Sequence, residues 1–249
     1  MNKKRYLSVD WPAPSQIKAF VTTRQGDSFD PDDGFSSFNL GMYSGQAEDV
    51  IRGNRKQLQE DLQLTVSPLW MKQVHGIDVA DTAISPQEIE ADASVSMEVA
   101  KASAVLTADC LPVLFTDTKG SVVAAAHAGW KGLATGVIES TVSAMKVSSS
   151  TIMAWLGPAI SQSNFEIGPE VREQFLAEDG DSSEAFIPGD GDRWFADLYV
   201  LAKRRLNRLG VQQIYGGGFC TVDQKELFYS YRRDGKNSGR MASLIWIES

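Results

Sequence analysis

SVVAAAHAGWKGLATGVIESTVSAMKVSSSTIMAWLGP, residues 121–158, is the stretch whose reading decides the fold. Residues 121–129 form a small-residue apolar run that ends on glycine and read as a buried strand. Residues 131–145 read as a helix and 152–158 as a second buried strand. Upstream, AVLTADC (104–110) and LPVLFTD (111–117) are short apolar strands, with Pro112 forcing a break between ladders. PLWMKQVHG (68–76) is strand-like and stops at Gly76, and IKAFVT (17–22) is an early strand. Residues 47–64 place Val50, Ile51, Leu58 and Leu62 at helical spacing. Downstream, 169–178 and 196–210 read as helices, the first opened by Pro169 and the second stopped by Gly210. LFYSYRRDGKNSGRMASLIWI (227–247) reads as two strands around a polar turn. Strands and helices alternate through the middle, so an α/β fold is expected, layered, with mixed β-sheets and flanking helices. The polar stretches 25–39 and 178–192 read as surface loops. Without a linker or repeat, residues 1–249 are expected to form a single domain.

Composition narrows the function. The net charge of −8 argues against a nucleic-acid partner, whose footprint is usually basic. No run of about eighteen apolar residues could span a bilayer, and the N-terminus lacks the apolar core of a signal peptide. A cytoplasmic protein with reduced cysteines is expected. The chain has two histidines, His75 and His127, and two cysteines, Cys110 and Cys220. That inventory excludes a multi-copper cluster, which needs many imidazoles, and it excludes a disulfide scaffold or a pair of C-x-x-C zinc motifs.

His75, Cys110 and His127 each fall where an expected strand ends or a turn begins, the place where open α/β sheets hold ligands. If those strands are neighbours, two imidazoles and a thiolate converge. That set suits zinc, with three protein ligands and one open position. The same residues also fit a metal-free chemistry, with Cys110 as nucleophile, His127 as base and Asp109 orienting the imidazole. A third option is three ordinary core or surface residues.

The motifs VHG (74–76), TADCLPVL (107–114), HAGWKGL (127–133), WLGPAI (155–160), FEIG (165–168) and SYRRDGKNSGRMAS (230–243) closely resemble the bacterial laccase-domain family. Members of that family are variously labelled polyphenol oxidase, purine nucleoside phosphorylase and peptidoglycan editing factor. The likeness runs from TTR (22–24) through FNLG (38–41) and GNRKQL (53–58) to the C-terminal strand. It implies one α/β catalytic domain and a zinc ion held by the histidine of VHG, the cysteine of TADC and the histidine of HAGW. These fall on His75, Cys110 and His127. Copper would bind there only adventitiously.

The resemblance also implies phosphorolysis of adenosine, inosine, guanosine and methylthioadenosine, with adenosine deamination, so the partners would be a purine nucleoside and phosphate. Arg55 is then the candidate phosphate clamp and Arg24 the second choice, because guanidinium binds phosphate bidentately. Gly129 opens a strand-to-helix turn whose free N–H groups suit an anion. Asp109 and Asp92 are candidates to shuttle protons in deamination. Gln73 and Asn39 are candidate nucleoside contacts. The plainer roles are solvated arginines, turn-capping aspartates and a packing glycine. The basic cluster 230–240 reads as a solvated hairpin turn, with stacking of Tyr231 or Arg233 near the site as the other option. Competing functions are a peptidoglycan-editing amidase that releases misincorporated L-serine from a UDP-MurNAc precursor, a Cys110–His127 hydrolase, and copper-dependent phenol oxidation.

Overall fold

The structure is a computed structural model that describes residues 5–248. In chain order it runs through β1 (Tyr6–Ser8), β2 (Ile17–Thr22), α1 (Glu48–Asp61), β3 (Val79–Asp81), β4 (Ala93–Ser96) and β5 (Ser103–Thr107). Next come β6 (Leu111–Asp117), β7 (Val123–Ala128), α2 (Trp130–Thr135), α3 (Val137–Ala144), β8 (Ile152–Leu156) and β9 (Glu166–Ile167). The remainder is α4 (Pro169–Glu178), β10 (Phe186–Pro188), β11 (Trp194–Ala196), α5 (Leu198–Arg208), β12 (Gln213–Gly216), α6 (Tyr231–Asp234) and β13 (Met241–Ile247).

The quoted stretch builds the centre of a six-stranded mixed sheet, ordered β12-β8-β6-β7-β4-β3. Strands β7 and β8 flank β6 and are both antiparallel to it, so the helical link between them is a crossover. Every residue of β6, β7 and β8 is buried, which explains their continuous apolar reading. Ala124, Ala126 and Ala128 meet Val137, Ile138 and Val142 on the helix side. Val123 and Ala125 face the opposite way, against Val21, Val105 and Ile245 of an antiparallel sheet ordered β1-β2-β13-β5. The outer face of that second sheet packs Ala104, Leu244 and Trp246 against Leu58 of α1. The result is helix, sheet, sheet and helix in successive layers, with a small antiparallel sheet β10-β11-β9 beside them.

Strand β2, strand β6 and helix α4 have the bounds read from sequence. Five local readings change, and the first is 178–192, expected as a surface loop, which holds a 3-10 turn over Gly180–Ala185 and strand β10 with Ala185 and Phe186 buried. The single helix expected over 131–145 is split at Gly136, whose φ of +111° is left-handed backbone that favours glycine. Pro112 lies inside β6 without breaking it, opposite His127, whose own N–H donates to Asp92 instead. Residues 68–76 are extended but pair only through a bridge between Lys72 and Glu90. The expected C-terminal hairpin is one strand, β13, preceded by α6 and a short 3-10 turn. Among the described residues no helix is long and apolar enough to cross a membrane.

Candidate metal centre

The chain passes from the antiparallel sheet to the mixed sheet at residues 108–110, between β5 and β6. Asp109 turns this corner with φ +82°, a strained value for a side-chain-bearing residue. Each of its carboxylate oxygens accepts a hydrogen bond: Thr221 Oγ1 donates to Oδ1 at 2.5 Å and Arg232 N to Oδ2 at 2.6 Å. Cys110 follows the corner directly. His127 is the last residue but one of β7, and the pairing of Leu111 with Ala128 sets that strand end beside the start of β6. His75 arrives on the extended 68–76 segment. The three candidate ligands therefore reach one end of the sandwich from three separate lengths of chain.

Asp92, wholly buried, ties two of them together. Its Oδ2 accepts from Val74 N at 3.0 Å and Gly76 N at 2.6 Å. Its Oδ1 accepts from His75 N at 2.9 Å and lies 2.7 Å from His127 Nδ1. The three backbone donors hold His75 at φ +62°, a conformation that costs about 1–3 kcal/mol unless its surroundings impose it. Nδ1 of His127 faces Asp92, so Nε2 is the nitrogen left for a metal ion to take. Burial opposes the Asp92 charge, yet His127 and the N–H groups of Gly76 and Val74 hold the carboxyl below its usual range.

The ligand atoms of His75, Cys110 and His127 all lie within 4.8 Å of one another, and the imidazoles meet edge-on at 75°. Beside them, a Cβ built on Gly129 would stand 3.0 Å from His75 Cδ2 and 3.1 Å from Cys110 Sγ. The space kept by this glycine and the two-nitrogen, one-sulfur donor set fit a metal ion, and the group could hold one. Charge supports the same conclusion. Burial resists a Cys110 thiolate, but His127 and then His75 bring its pKa down to about 6. Burial likewise resists a His127 cation, while Cys110 and Asp92 raise its pKa to about 9. These are two views of one buried thiolate–imidazolium pair.

A cavity of about 410 Å³ opens on the three residues. Gln73 and Asp109 also line it, but Gln73 spends its amide on Leu106, donating to the carbonyl and accepting from the N–H. Asp92 and four other candidates lie outside the lining. Arg24 is fully buried and donates to the carbonyls of Pro31, Asp33, Ser36 and Lys225. Arg55 donates to Leu40 O and lies 4.3 Å from the Trp70 ring, with burial lowering its pKa to about 10. Asn39 accepts from the N–H groups of Gly41 and Arg240. Gly129 packs on the ligand side chains themselves.

The basic cluster is placed differently from a solvated hairpin. Tyr231, Arg232 and Arg240 line the cavity, joined by Tyr43 and Phe165, which sequence reading passed over. Arg233 instead donates to backbone carbonyls and pairs with Asp234. Ser230, which caps α6 by accepting from Arg233 N, was the available sequence signal for a helix start there. Arg240 had none, because its place depends on β13 pairing with β5.

Residues 18–248 match the model of the family described as multi-copper polyphenol oxidoreductase laccase. The chain is 48% identical over 238 residues to a purine nucleoside phosphorylase, YfiH, of Escherichia coli K12, which spans 95% of this chain and 96% of the relative. It is 44% identical to purine nucleoside phosphorylase PA4543 of Pseudomonas aeruginosa, with 98% of each chain covered. Among solved structures, Neisseria meningitidis protein NMB0706 superposes with a TM-score of 0.93 at 44% identity, over 99% of this chain and 100% of that one. YlmD from Geobacillus stearothermophilus gives a TM-score of 0.88 at 25% identity, covering 100% and 98% of the two chains. Likeness of sequence and of fold over the whole described length makes this chain a member of the multi-copper polyphenol oxidoreductase laccase family.

Proposed function

We propose that this chain is a metal-dependent purine nucleoside phosphorylase that holds zinc at His75, Cys110 and His127. Its substrates are adenosine, inosine, guanosine and methylthioadenosine together with phosphate, and adenosine deamination is a second activity. The observation that carries this reading is the His–Cys–His group opening onto a cavity that also presents aromatic rings and arginines. Its volume lies in the range of small-molecule sites. The names of the relatives point the same way. The chain works as one domain, since both large sheets share a core, and the cytoplasm suits its two free thiols.

In phosphorolysis a phosphate oxygen attacks the anomeric carbon, the bond to the purine breaks, and the departing base takes up a proton. Tyr43, Phe165 and Tyr231 offer ring faces against which a purine can lie. Zinc, when bound, supplies Lewis acidity and an activated water for deamination. Asp92 and Asp109, each of whose oxygens already accepts a hydrogen bond, act as positioning residues: Asp92 fixes the turn of His75 and the orientation of the His127 ring, and Asp109 anchors the start of α6.

A second reading has an observation of its own. Cys110, His127 and Asp92 also stand as nucleophile, base and orienting carboxylate, with Asp92 in the place sequence reading gave to Asp109. His75 is idle in that scheme. Incubation of the metal-loaded protein with inosine, with and without phosphate, should give phosphate-dependent release of hypoxanthine, and His75→Ala should lose both the metal and the activity. Rapid serine release from a serine-containing peptidoglycan precursor, without phosphate-dependent hypoxanthine, would reverse the ranking. Activity that survives metal removal and dies on Cys110 alkylation would favour the hydrolase.

A further inference from the structure

We propose that Arg240 is the phosphate-binding cation of the cavity. Resting on the phosphorylase reading, this inference gives the anionic substrate a specific partner. Two arginines line the cavity, Arg232 and Arg240. Arg232 spends Nη1 and Nη2 on the carbonyls of Asn164 and Glu166. Arg240 uses only Nη1, on the carbonyls of Ser238 and Gly239 at 2.6 and 2.8 Å. Its Nε and Nη2 have no partner among the described residues, and neither is sealed from solvent. No carboxylate of the described residues forms an ion pair with it, so a half-buried guanidinium lines the cavity without a salt-bridge partner. Two adjacent free N–H donors are the fork that a phosphate takes bidentately.

The surroundings hold that fork in place before any ligand arrives. Asn39 Oδ1 accepts from Arg240 N at 2.8 Å, and Leu40 N donates to Arg240 O at 3.2 Å. Gly41 lies so close that a Cβ there would come within 2.5 Å of Arg240 Cγ. The Tyr231 ring centroid is 5.8 Å from the guanidinium carbon. Arg240 shares the cavity lining with His75, Cys110 and His127, so the cation stands on the same cavity as the candidate metal ligands. A chain with a net charge of −8 repels phosphate at long range, so capture calls for such a local, partly desolvated cation. Arg55 and Arg24, the alternatives read from sequence, are engaged with backbone carbonyls outside the lining.

The test is steady-state phosphorolysis of inosine by metal-loaded wild type, Arg240→Gln, Arg240→Lys and Arg55→Gln. It is paired with calorimetric titration of the same full-length proteins with inorganic phosphate. Arg240→Gln should raise the KM for phosphate about ten- to a hundredfold with the KM for inosine within about threefold. Arg240→Lys should fall between, as a point charge without the fork. Unchanged melting of the phosphate-free variants shows that they fold. If turnover is normal and Arg240→Gln leaves the KM for phosphate unchanged, or Arg55→Gln raises it more, the inference is overturned while the phosphorylase reading stands. If wild type turns over no nucleoside yet binds phosphate through Arg240, the anion site stands and that reading falls. Phosphate binding that is absent in wild type overturns the inference.

Discussion

Replacing Gly129 with alanine adds one methyl group at the point where the three candidate ligands meet. The backbone there has φ −62° and ψ 155°, values open to any residue, so the substitution carries no conformational penalty. Gly→Ala at a compatible site even stabilises by about 0.4–1 kcal/mol through the unfolded chain. The new Cβ, however, would stand 3.0 Å from His75 Cδ2, 3.1 Å from Cys110 Sγ and 3.4 Å from His127 Cε1. Comfortable contact begins at about 3.5 Å, so the ligands must retreat by roughly half an ångström. Metal sites tolerate about 0.2 Å. The metal-free variant should therefore melt near wild type while its zinc affinity falls about ten- to a hundredfold, the size of effect that misoriented ligands produce. Chelator competition on the reloaded full-length protein reads the affinity, and thermal unfolding of the stripped protein reads the fold. An affinity within about twofold of wild type refutes the convergence of the three side chains on this space. A loss of more than about 2 kcal/mol in the stripped protein refutes the claim that the cost falls on the metal rather than on the fold.

Asp92→Asn puts an NH2 group where two N–H donors now point, so both metal affinity and stability should fall, the latter by about 3 kcal/mol in chelator-treated protein unfolded with urea. In the metal-free protein Cys110 is a thiolate above about pH 6, so its alkylation rate should level off there instead of climbing toward 9, and His127→Ala should move the midpoint upward. The depressed thiol contributes stability that is lost as pH falls from about 9 to 6, whereas the raised imidazole contributes stability that is lost as pH rises from about 6.5 to 9. The two slopes oppose, so melting temperatures of metal-free protein should be nearly flat in this pair's contribution between those limits, and Cys110→Ser, which removes the largest effect raising the imidazole, should leave only the weaker falling slope that Asp92 gives it. Gly136→Ala, which forces a side chain into φ +111°, should cost about 1–2 kcal/mol without changing metal affinity.

The layering was legible because its central strands are buried on both faces and its helices are periodic: β2, β6 and α4 have the bounds that pattern alone gives. The failures share a cause. Residues 68–76 look like a strand because Leu69, Trp70 and Met71 are buried, but they are buried in two different cores, and the N–H groups of Val74, His75 and Gly76 go to a side chain instead of a neighbouring strand. Residues 227–240 look like a hairpin because polar residues separate apolar ones, yet Ser230 and the Asp109 carboxylate bend them into a turn of helix. For the site, the rarity of histidine and cysteine left four residues, and their places at expected strand ends singled out the three that the fold brings within 4.8 Å. The arginines were not separable in that way. Arg24, Arg55 and Arg240 are all half-buried or deeper, and only long-range pairing decides which of them faces the cavity.

The same pairing explains why the site needs so few special residues. The corner at Asp109 joins the two sheets, presents Cys110 and anchors α6, so the strain of one left-handed residue serves the fold, the thiolate and the cavity wall together. Asp92 does the equivalent for the histidines, binding the backbone of one and the ring of the other through a single carboxylate. Two imidazoles and a thiolate fill one such centre and leave no histidine for a second, so the several copper ions in the family's description lack imidazole ligands in this chain. One centre and an arginine without a salt-bridge partner set a metal-binding group and an anion-binding group on the same cavity, the arrangement that the proposed phosphorolysis of a nucleoside would use.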